Sequence, residues 1–362
     1  MKIIRKTIAC AMAAAVLLLS GCGGANSDDV SGKAPETTSE TTAKAVNTER
    51  HKVIIDTDTG SDDAAALILA ATDKETDILG VTVLYGNAAL DDSAKNALMT
   101  LEVCGVDAPV YIGAEKPLKK EREDMISVHG KDGMGDKDLI HPKRSAEKGS
   151  AIDFILDSIK SDPGEVEIVA YGPLTNIALA IQKDPETMKL CKHIWVMGTT
   201  GFGTGNATPV SEFNVYNDAE AYDVVLRAGL PMTILGLDMV SIEETRLTKD
   251  DMSKMAQGNE KGVYLSKAFS KLFAFYQKSG KNMRLPDPMA VACMAWPEIV
   301  LETKSCYGEA CIGNDAAYGQ VIFYQEGSVY EAMPKIGSYN INVVSKIDAK
   351  LFKDKFMSLV TS

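Results

Sequence analysis

The chain alternates short apolar runs with longer stretches of helical character. The apolar runs are continuous and rich in Val and Ile, which is typical of strands buried on both faces of a parallel sheet. The predicted strands cover 53–55, 78–84, 166–169, 194–197 and 232–237. The predicted helices cover 64–71, 93–103 and 175–182, and long helices fill 247–279. This β-α-β-α order predicts an α/β fold in which residues 51–362 form a single large domain around a mostly parallel central sheet flanked by helices.

Four aspartates lie within eight positions at the end of the first predicted strand. Asp56 and Asp58 are two apart and so point the same way on a strand. Gly60 then turns the chain, and Asp62 and Asp63 open a helix. Carboxylates this close raise one another's pKa values unless a cation lies among them. The turn therefore predicts an all-oxygen cation site, suited to Ca²⁺ or Mg²⁺, at the carboxyl end of a strand.

A purely structural explanation covers only part of this turn. Acidic residues in the first helical turn complement the helix dipole, which accounts for Asp62 and Asp63 without a function. It does not account for Asp56 and Asp58, because aspartate is a poor strand former. The cation site is therefore the preferred interpretation.

Polar segments also follow the later strands. The glycine-rich stretch 197–206 lacks the G-x-G-x-x-G spacing of a dinucleotide loop and has no predicted helix directly behind it. Asn206, Glu212 and Asn214 form an amide–carboxylate–amide set that suits vicinal hydroxyl groups. A solvated loop explains that segment equally well when it is taken alone. Asp287, ahead of an apolar stretch, is by itself explained as a helix N-cap.

The first 50 residues differ in character from the rest. Three basic residues precede an apolar run from about residue 8 to residue 19, and Leu19-Ser20-Gly21-Cys22 fits a bacterial lipobox. The sequence predicts a signal peptide over 1–21 and a diacylated Cys22, with an ordinary signal peptide cut elsewhere as the alternative. Residues 22–50 are too poor in large apolar side chains to fold and are predicted to be a flexible tether. We expect an exported protein, lipid-anchored to the bacterial membrane on its extracytoplasmic side.

The charge balance limits the choice of partners. The chain has 38 Lys+Arg against 50 Asp+Glu, a formal net charge of −12. That balance argues against nucleic acid, which rewards basic patches. The seven cysteines contain no CxxC pair, so neither a zinc pattern nor a disulfide framework is indicated. An enzyme with a cation site and a small-molecule substrate fits best.

Taken together, these segments resemble the inosine–uridine preferring nucleoside hydrolase family over nearly all of 51–362. The most specific match is to the family's D-x-D-x-G-x-D-D-A, which here is Asp56-Thr57-Asp58-Thr59-Gly60-Ser61-Asp62-Asp63-Ala64. The other matching segments are Gly86-Asn87, His129-Gly130-Lys131-Asp132-Gly133-Met134-Gly135, Tyr171-Gly172-Pro173-Leu174-Thr175-Asn176-Ile177-Ala178, Gly205-Asn206 with Glu212-Phe213-Asn214, and Pro286-Asp287-Pro288.

The resemblance implies the Rossmann-like nucleoside hydrolase fold and an N-ribohydrolase with one bound Ca²⁺. By that resemblance Asp58 would be the general base for a metal-bound water. The implied metal ligands are Asp58, Asp63, Asp287 and the backbone carbonyl of Tyr171, where the family has threonine. The implied ribose site consists of Asp62, Asn87, Asn206, Glu212 and Asn214, with Phe213 and the Met197 backbone nearby. A homodimer or homotetramer is also implied.

One departure from the family concerns the leaving base. Where many members have a histidine that helps to protonate the base, this chain has Pro286, which has no proton to donate. His129 is the candidate catalytic residue in its place. Tyr276, Lys278 and Arg284 lie in the segment that flanks the base pocket in relatives, although a surface or packing role explains each of them equally well. We expect a working hydrolase with an altered base preference.

Two alternatives come from other classes. The tether and the α/β content also fit a lipid-anchored protein that binds nucleosides for a transporter without turnover. The retention of both metal-binding and base-type carboxylates disfavours this alternative, since a binder has little need of an activated water. A transferase acting on another ribosyl compound is the third possibility.

Overall fold

A nine-stranded sheet forms the centre of the computed structural model, which describes residues 50–123, 125–313, 315–327 and 337–362. The strands are β1 His51–Thr57, β2 Thr76–Val83, β3 Val110–Ile112, β4 Val166–Ala170, β5 His193–Met197, β6 Met232–Leu235, β7 Val300–Ala310, β8 Val321–Gln325 and β9 Ile341–Ile347. The helices are α1 Ser61–Thr72, α2 Leu90–Cys104, α3 Ile126–His129, α4 Ala151–Ser161, α5 Thr175–Lys183, α6 Pro185–Met188, α7 Phe213–Asn217, α8 Ala219–Arg227, α9 Leu237–Val240, α10 Lys249–Met255, α11 Glu260–Ala268, α12 Ser270–Lys278, α13 Pro286–Ala295 and α14 Ala349–Thr361.

The strand order is β3-β2-β1-β4-β5-β6-β9-β7-β8. Neighbouring strands from β3 to β9 pair in parallel, whereas β7 pairs antiparallel with both β9 and β8. The predicted α/β fold with a mostly parallel sheet is thus confirmed. The chain runs from β1 outward to β2 and β3, and then returns to place β4 on the other side of β1. Such a reversal opens a crevice at the carboxyl ends of β1 and β4, where open α/β sheets bind their ligands.

The apolar side chains of β1 pack on both faces of the sheet. Val53 and Ile55 belong to one buried cluster and Ile54 to the other, and all three are fully buried. The helix that follows, α1, is buried from residue 61 to residue 70 and packs against α13. The N-termini of these two helices therefore lie together in a rigid, dehydrated part of the molecule, beside the crevice.

Three predictions about elements are wrong in detail. The predicted long helices over 247–279 are three short ones, because the Asn259 side chain accepts a hydrogen bond from the Gly262 amide and so begins a new helix, α11. The strand predicted over 232–237 ends at Leu235, and α9 begins two residues later. Asp287 is not an N-cap: Leu285 holds that position, Pro286 begins α13, and Asp287 lies within the first turn.

The predicted targeting elements mostly lie outside the described residues. These are the signal peptide over 1–21, the lipidated Cys22 and all of the 22–50 tether except Arg50. Within the described ranges, no helix combines the length and the apolar character needed to cross a bilayer. The cysteines of this part of the chain are free thiols.

Candidate active site

Three carboxylates meet at the crevice between β1 and β4. Asp62 and Asp63 lie in the first turn of α1, and Asp287 lies in the first turn of α13. One oxygen of each is within 4.8 Å of the others, and all three side chains are buried. Because helix N-termini favour negative charge, both helices help to hold these carboxylates where they are.

Asn87 connects this cluster to the aspartate that follows β1. Its backbone amide donates to Asp58 Oδ2 at 2.6 Å, and its side-chain amide donates to Asp63 Oδ2 at 2.9 Å. The Gly60 amide and the Thr57 hydroxyl also donate to Asp63, at 2.9 and 2.8 Å. The orientation of Asp63 is therefore fixed from three directions by neutral donors.

The electrostatics of the cluster favour a cation. Burial, and after it the charges of neighbouring aspartates, raises the pKa values of Asp58 and Asp287 well above the usual range. Burial raises the pKa of Asp62 to about 6. Within the described ranges, none of these carboxylates forms an ion pair with a lysine or an arginine, and Asp62 Oδ1 is buried without a hydrogen-bond donor. A hard divalent cation fits this set of oxygens, because it would supply the missing positive charge.

The compact carboxylate cluster differs by one residue from the predicted metal ligands. It contains Asp62, Asp63 and Asp287, whereas the prediction has Asp58 in place of Asp62. Asp58 lies close enough to Asp63 for burial and, after it, the charge of Asp63 to raise the pKa of Asp58. The Tyr171 carbonyl follows β4 and accepts one hydrogen bond, at 3.1 Å, which leaves its second lone pair available. The exact ligand set stays a prediction.

Asp56 does not join the cluster, although the sequence analysis placed it there. Its Oδ1 accepts hydrogen bonds from the Thr82 hydroxyl and the Asn176 side chain within the sheet. Burial raises the pKa of Asp56 to about 6. Asp58 comes one residue after the last residue of β1, so strand alternation no longer relates the two side chains. The role of Asp56 is to tie β1 to β2 and to the start of α5.

A second polar group lies at the start of α7. Glu212 caps this helix by accepting from the Asn214 amide at 2.9 Å, and burial raises the pKa of Glu212 to about 7. Asn206 Oδ1 accepts from the Phe213 amide at 2.8 Å. The Asn214 side chain donates to the Tyr171 carbonyl and approaches Met197 Sδ at 3.7 Å. These contacts hold the polar side chains in fixed directions, as recognition of hydroxyl groups requires.

A cavity of about 390 Å³ joins the two polar groups. Every residue predicted to bind substrate lines it, together with Tyr171, Asp287 and His129, whereas Asp58 and Asp63 are not among the lining residues. Sequence reasoning missed the apolar part of the wall, to which Met125, Val128 and Leu237 contribute. No motif marks these residues, and only the folded chain brings them together.

His129 lines the cavity as predicted, but its environment keeps the ring neutral. Its Nδ1 lies 3.0 Å from Ser61 Oγ and 3.6 Å from Asp62 Oδ1. Burial lowers the pKa of His129 to about 4, so the imidazole carries no extra proton near pH 7. Pro286 lines the same cavity and has no proton to donate. The usual proton donors are thus unsuitable on this side of the site.

Comparison with known proteins agrees with the fold and identifies the family. The family model "Inosine-uridine preferring nucleoside hydrolase" matches residues 53–354. Uridine nucleosidase 1 of Arabidopsis thaliana is 37% identical over 71% of this chain and 77% of its own length. A solved plant nucleoside hydrolase superposes with a TM-score of 0.81 at 27% identity, over 86% of this chain and 99% of that one. The structure of a purine-preferring ribonucleoside hydrolase from Gardnerella vaginalis superposes with a TM-score of 0.78 at 29% identity, over 85% of this chain and 98% of that one.

The matched region contains every element that forms the cavity. It begins within β1 and ends within α14, so it includes the aspartate turn, the polar group at α7 and the start of α13. The chain belongs to the inosine–uridine preferring nucleoside hydrolase family and is a hydrolase that acts on nucleosides.

Proposed function

We propose that this chain is a calcium-dependent N-ribohydrolase that cleaves a nucleoside into ribose and free base. The observation that carries the proposal is the cluster of Asp62, Asp63 and Asp287, buried within 4.8 Å of one another without a lysine or arginine partner in the described ranges. The cluster lies beside a cavity with two further polar groups suited to a sugar, Glu212 and Asn214. Family membership and the nucleosidase relatives support the same reaction class.

The donor set suits calcium better than the softer metals. Carboxylate and carbonyl oxygens are the ligands that Ca²⁺ prefers, and the described part of the site offers no thiolate. Asp63 and Asp287 would hold the ion together with Asp58 or Asp62 and the Tyr171 carbonyl. When bound there, the ion would lower the pKa of a water molecule beside the sugar.

The protein's own groups would perform the remaining steps. Asp58, oriented by Asn87, would accept the proton from the attacking water. Asn206, Glu212 and Asn214 would bind the ribose hydroxyls and so position the anomeric carbon. Positive charge develops on the ribose as the glycosidic bond breaks, and the surrounding carboxylate oxygens would stabilise it.

A nucleoside panel tests the proposal. The purified protein is incubated with uridine, cytidine, inosine and guanosine, and released ribose is measured as reducing sugar. We expect ribose from at least one nucleoside, loss of the activity with a chelator and its return with excess Ca²⁺. Binding of nucleosides by calorimetry without any released ribose would contradict the proposal and favour a nucleoside-binding protein.

We also propose that the protein is exported, anchored through a diacylated Cys22 on the extracytoplasmic side of the membrane, and assembled as a homo-oligomer. The basic start, the apolar run and the lipobox segment support the anchor. The family resemblance supports the oligomer. Replacing Cys22→Ala in the full chain should move the protein from the membrane fraction to the aqueous fraction, and light scattering should give a mass of two or four chains. Unchanged membrane association of the variant would contradict the anchor.

A further inference from the structure

The wall of the cavity contains an arginine for which the described residues provide no ion-pair partner. Arg284, three residues before Asp287, lines the cavity, and its Nε is buried without a hydrogen bond. In the described ranges, no carboxylate forms an ion pair with it. By contrast, Arg144, Arg227 and Arg246 each pair with at least one carboxylate. A partly buried arginine without a carboxylate partner in the described ranges is electrostatically unfavourable unless a ligand supplies the missing negative group.

The surroundings of Arg284 show where such a ligand would lie. The Tyr276 phenol is held between the two sides of the cavity: burial raises its pKa to about 12, the Arg284 charge lowers it, and the charges of Asp62 and Asp287 raise it. Tyr276 and Phe275 form an edge-to-face pair with ring centroids 5.7 Å apart, and both line the cavity. The cavity wall therefore contains both negative groups, the aspartates, and a positive one, Arg284, together with the aromatic pair of α12.

The chemistry of the reaction needs that charge separation. As the bond between C1′ and the base nitrogen breaks, its electron pair stays on the base, which becomes an anion. The water forms the new bond to C1′ and gives its proton to a carboxylate. The departed base then takes a proton from solvent and the carboxyl group returns its proton to solvent, so the overall reaction consumes one water. A base without a proton donor leaves fastest when a fixed positive group stabilises its developing negative charge.

We propose that Arg284 is the catalytic residue that stabilises the departing base, as an anion, in place of a proton donor. An arginine side chain stays protonated in proteins, so it does not transfer a proton, but its planar fork donates hydrogen bonds to oxygens that carry negative charge. The inference rests on the proposed hydrolase function and narrows its substrate. The favoured base has a carbonyl beside the glycosidic nitrogen and spreads its negative charge over its carbonyl oxygens, as the uracil of uridine does.

The test compares leaving groups in Arg284→Gln and the unchanged enzyme, both with Ca²⁺. We expect kcat on uridine to fall about 100-fold in the variant, the size of a lost oxyanion donor. On 4-nitrophenyl riboside, whose leaving group is stable as an anion without help, kcat should fall less than about threefold. 5-Fluorouridine, with a more acidic base, should lose less than uridine. Arg284→Lys should recover part of the uridine activity, because it keeps the charge but not the fork.

Two controls separate the possible failures. Lys278→Gln removes an exposed positive charge at the end of α12, outside the cavity lining, and should leave all three rates unchanged. Equal losses on all three substrates in Arg284→Gln would show a structural role and overturn the inference, while the hydrolase function stands. An unchanged enzyme that releases ribose from none of the substrates would overturn the hydrolase function, and this inference with it.

Discussion

The two ends of the central strands carry buried carboxylates in opposite electrostatic settings. At the amino ends, Glu167 of β4 accepts from Trp195 Nε1 at 2.7 Å and lies 2.8 Å from His51 Nδ1 and 3.3 Å from Lys192 Nζ. Burial raises its pKa, but the hydrogen bonds from His51 and Trp195 and the nearby positive charges outweigh burial and lower the pKa to about 2. At the carboxyl ends, burial and mutual repulsion raise the pKa values of Asp58, Asp63 and Asp287.

This difference indicates that Glu167 has a structural role and that the aspartates have a functional one. The side chain of Glu167 is only 3% exposed, yet the protein supplies a cation and two ring donors for it. The aspartates are buried just as deeply, and the donors they receive from the described residues are neutral, such as the Asn87 and Gly60 amides. A folded chain tolerates such repulsion where a ligand relieves it, which is why the carboxyl ends are the functional end.

The largest effect should come from Asp58→Asn. The amide is nearly the same size but does not accept a proton, so kcat for nucleoside hydrolysis should fall about 10³-fold. The matched variant at the other end, Glu167→Gln, should keep kcat within about threefold at a temperature at which it is folded. The measurement is the steady-state rate of each variant with saturating Ca²⁺. Equal losses of kcat in Asp58→Asn and Glu167→Gln would contradict a functional difference between the two ends of the sheet.

For stability the order of the two ends should be reversed, with the loss at Glu167 rather than at the aspartates. Glu167→Gln should lower the free energy of unfolding by about 2 kcal/mol, because His51 and Lys192 lose their buried anionic partner. Asp287→Asn in chelator should raise it by about 1 kcal/mol, because one of the repelling charges is gone. Urea denaturation of the two variants measures both changes. A loss of stability of similar size in Asp287→Asn would show that the aspartates are structural after all.

The pH dependence of the free energy of unfolding should report on the carboxylates at both ends of the central strands. In chelator, stability should rise by about 1 to 2 kcal/mol as the pH falls from 8 to 5. Glu212 and Asp62, with pKa values of about 7 and 6, bind protons more readily when folded, and His129, whose pKa is lowered to about 4, offsets part of that gain. Stability should then be lost as the pH falls from about 4.5 toward 2, because Glu167 has a lowered pKa and must be protonated.

Measuring stability with and without Ca²⁺ distinguishes the aspartate cluster from other groups that titrate between about pH 5 and 8. His51 has a raised pKa, so its contribution is present below its usual value of 6.5 and is lost as the pH rises through the raised one. That contribution is the same with and without Ca²⁺. The stabilisation by Ca²⁺ should shrink as the pH falls from 8 to 5, because protons compete for the same oxygens. A calcium effect independent of pH would contradict the proposed ligands.

Much of the fold could be predicted because its signals are local. The Val- and Ile-rich runs gave the parallel strands, and the aspartate turn after the first of them indicated the cation cluster. Asp56 was misplaced because strand alternation was extended to Asp58, which lies beyond the end of β1. The helices over 247–279 were misjudged because the Asn259 cap looks like any polar residue in a helical stretch.

The base side of the cavity could not be predicted for a different reason. The position of Arg284 was noted in the sequence, but its lack of a partner is a property of the folded surroundings. The same holds for Leu237 and Val128, which reach the cavity from segments distant in the chain. The lowered pKa of His129 likewise depends on burial, which no motif reports.

The central claim is that the unpaired carboxylates form a divalent-cation site, and calorimetry tests it most directly. The chelator-treated protein and the Asp63→Asn variant are titrated with CaCl₂ at pH 7.5, and thermal unfolding confirms that the variant is folded. The account predicts one Ca²⁺ per chain for the unchanged protein and binding at least about 100-fold weaker for the variant. No binding to the unchanged protein, or equal binding to both, would contradict it.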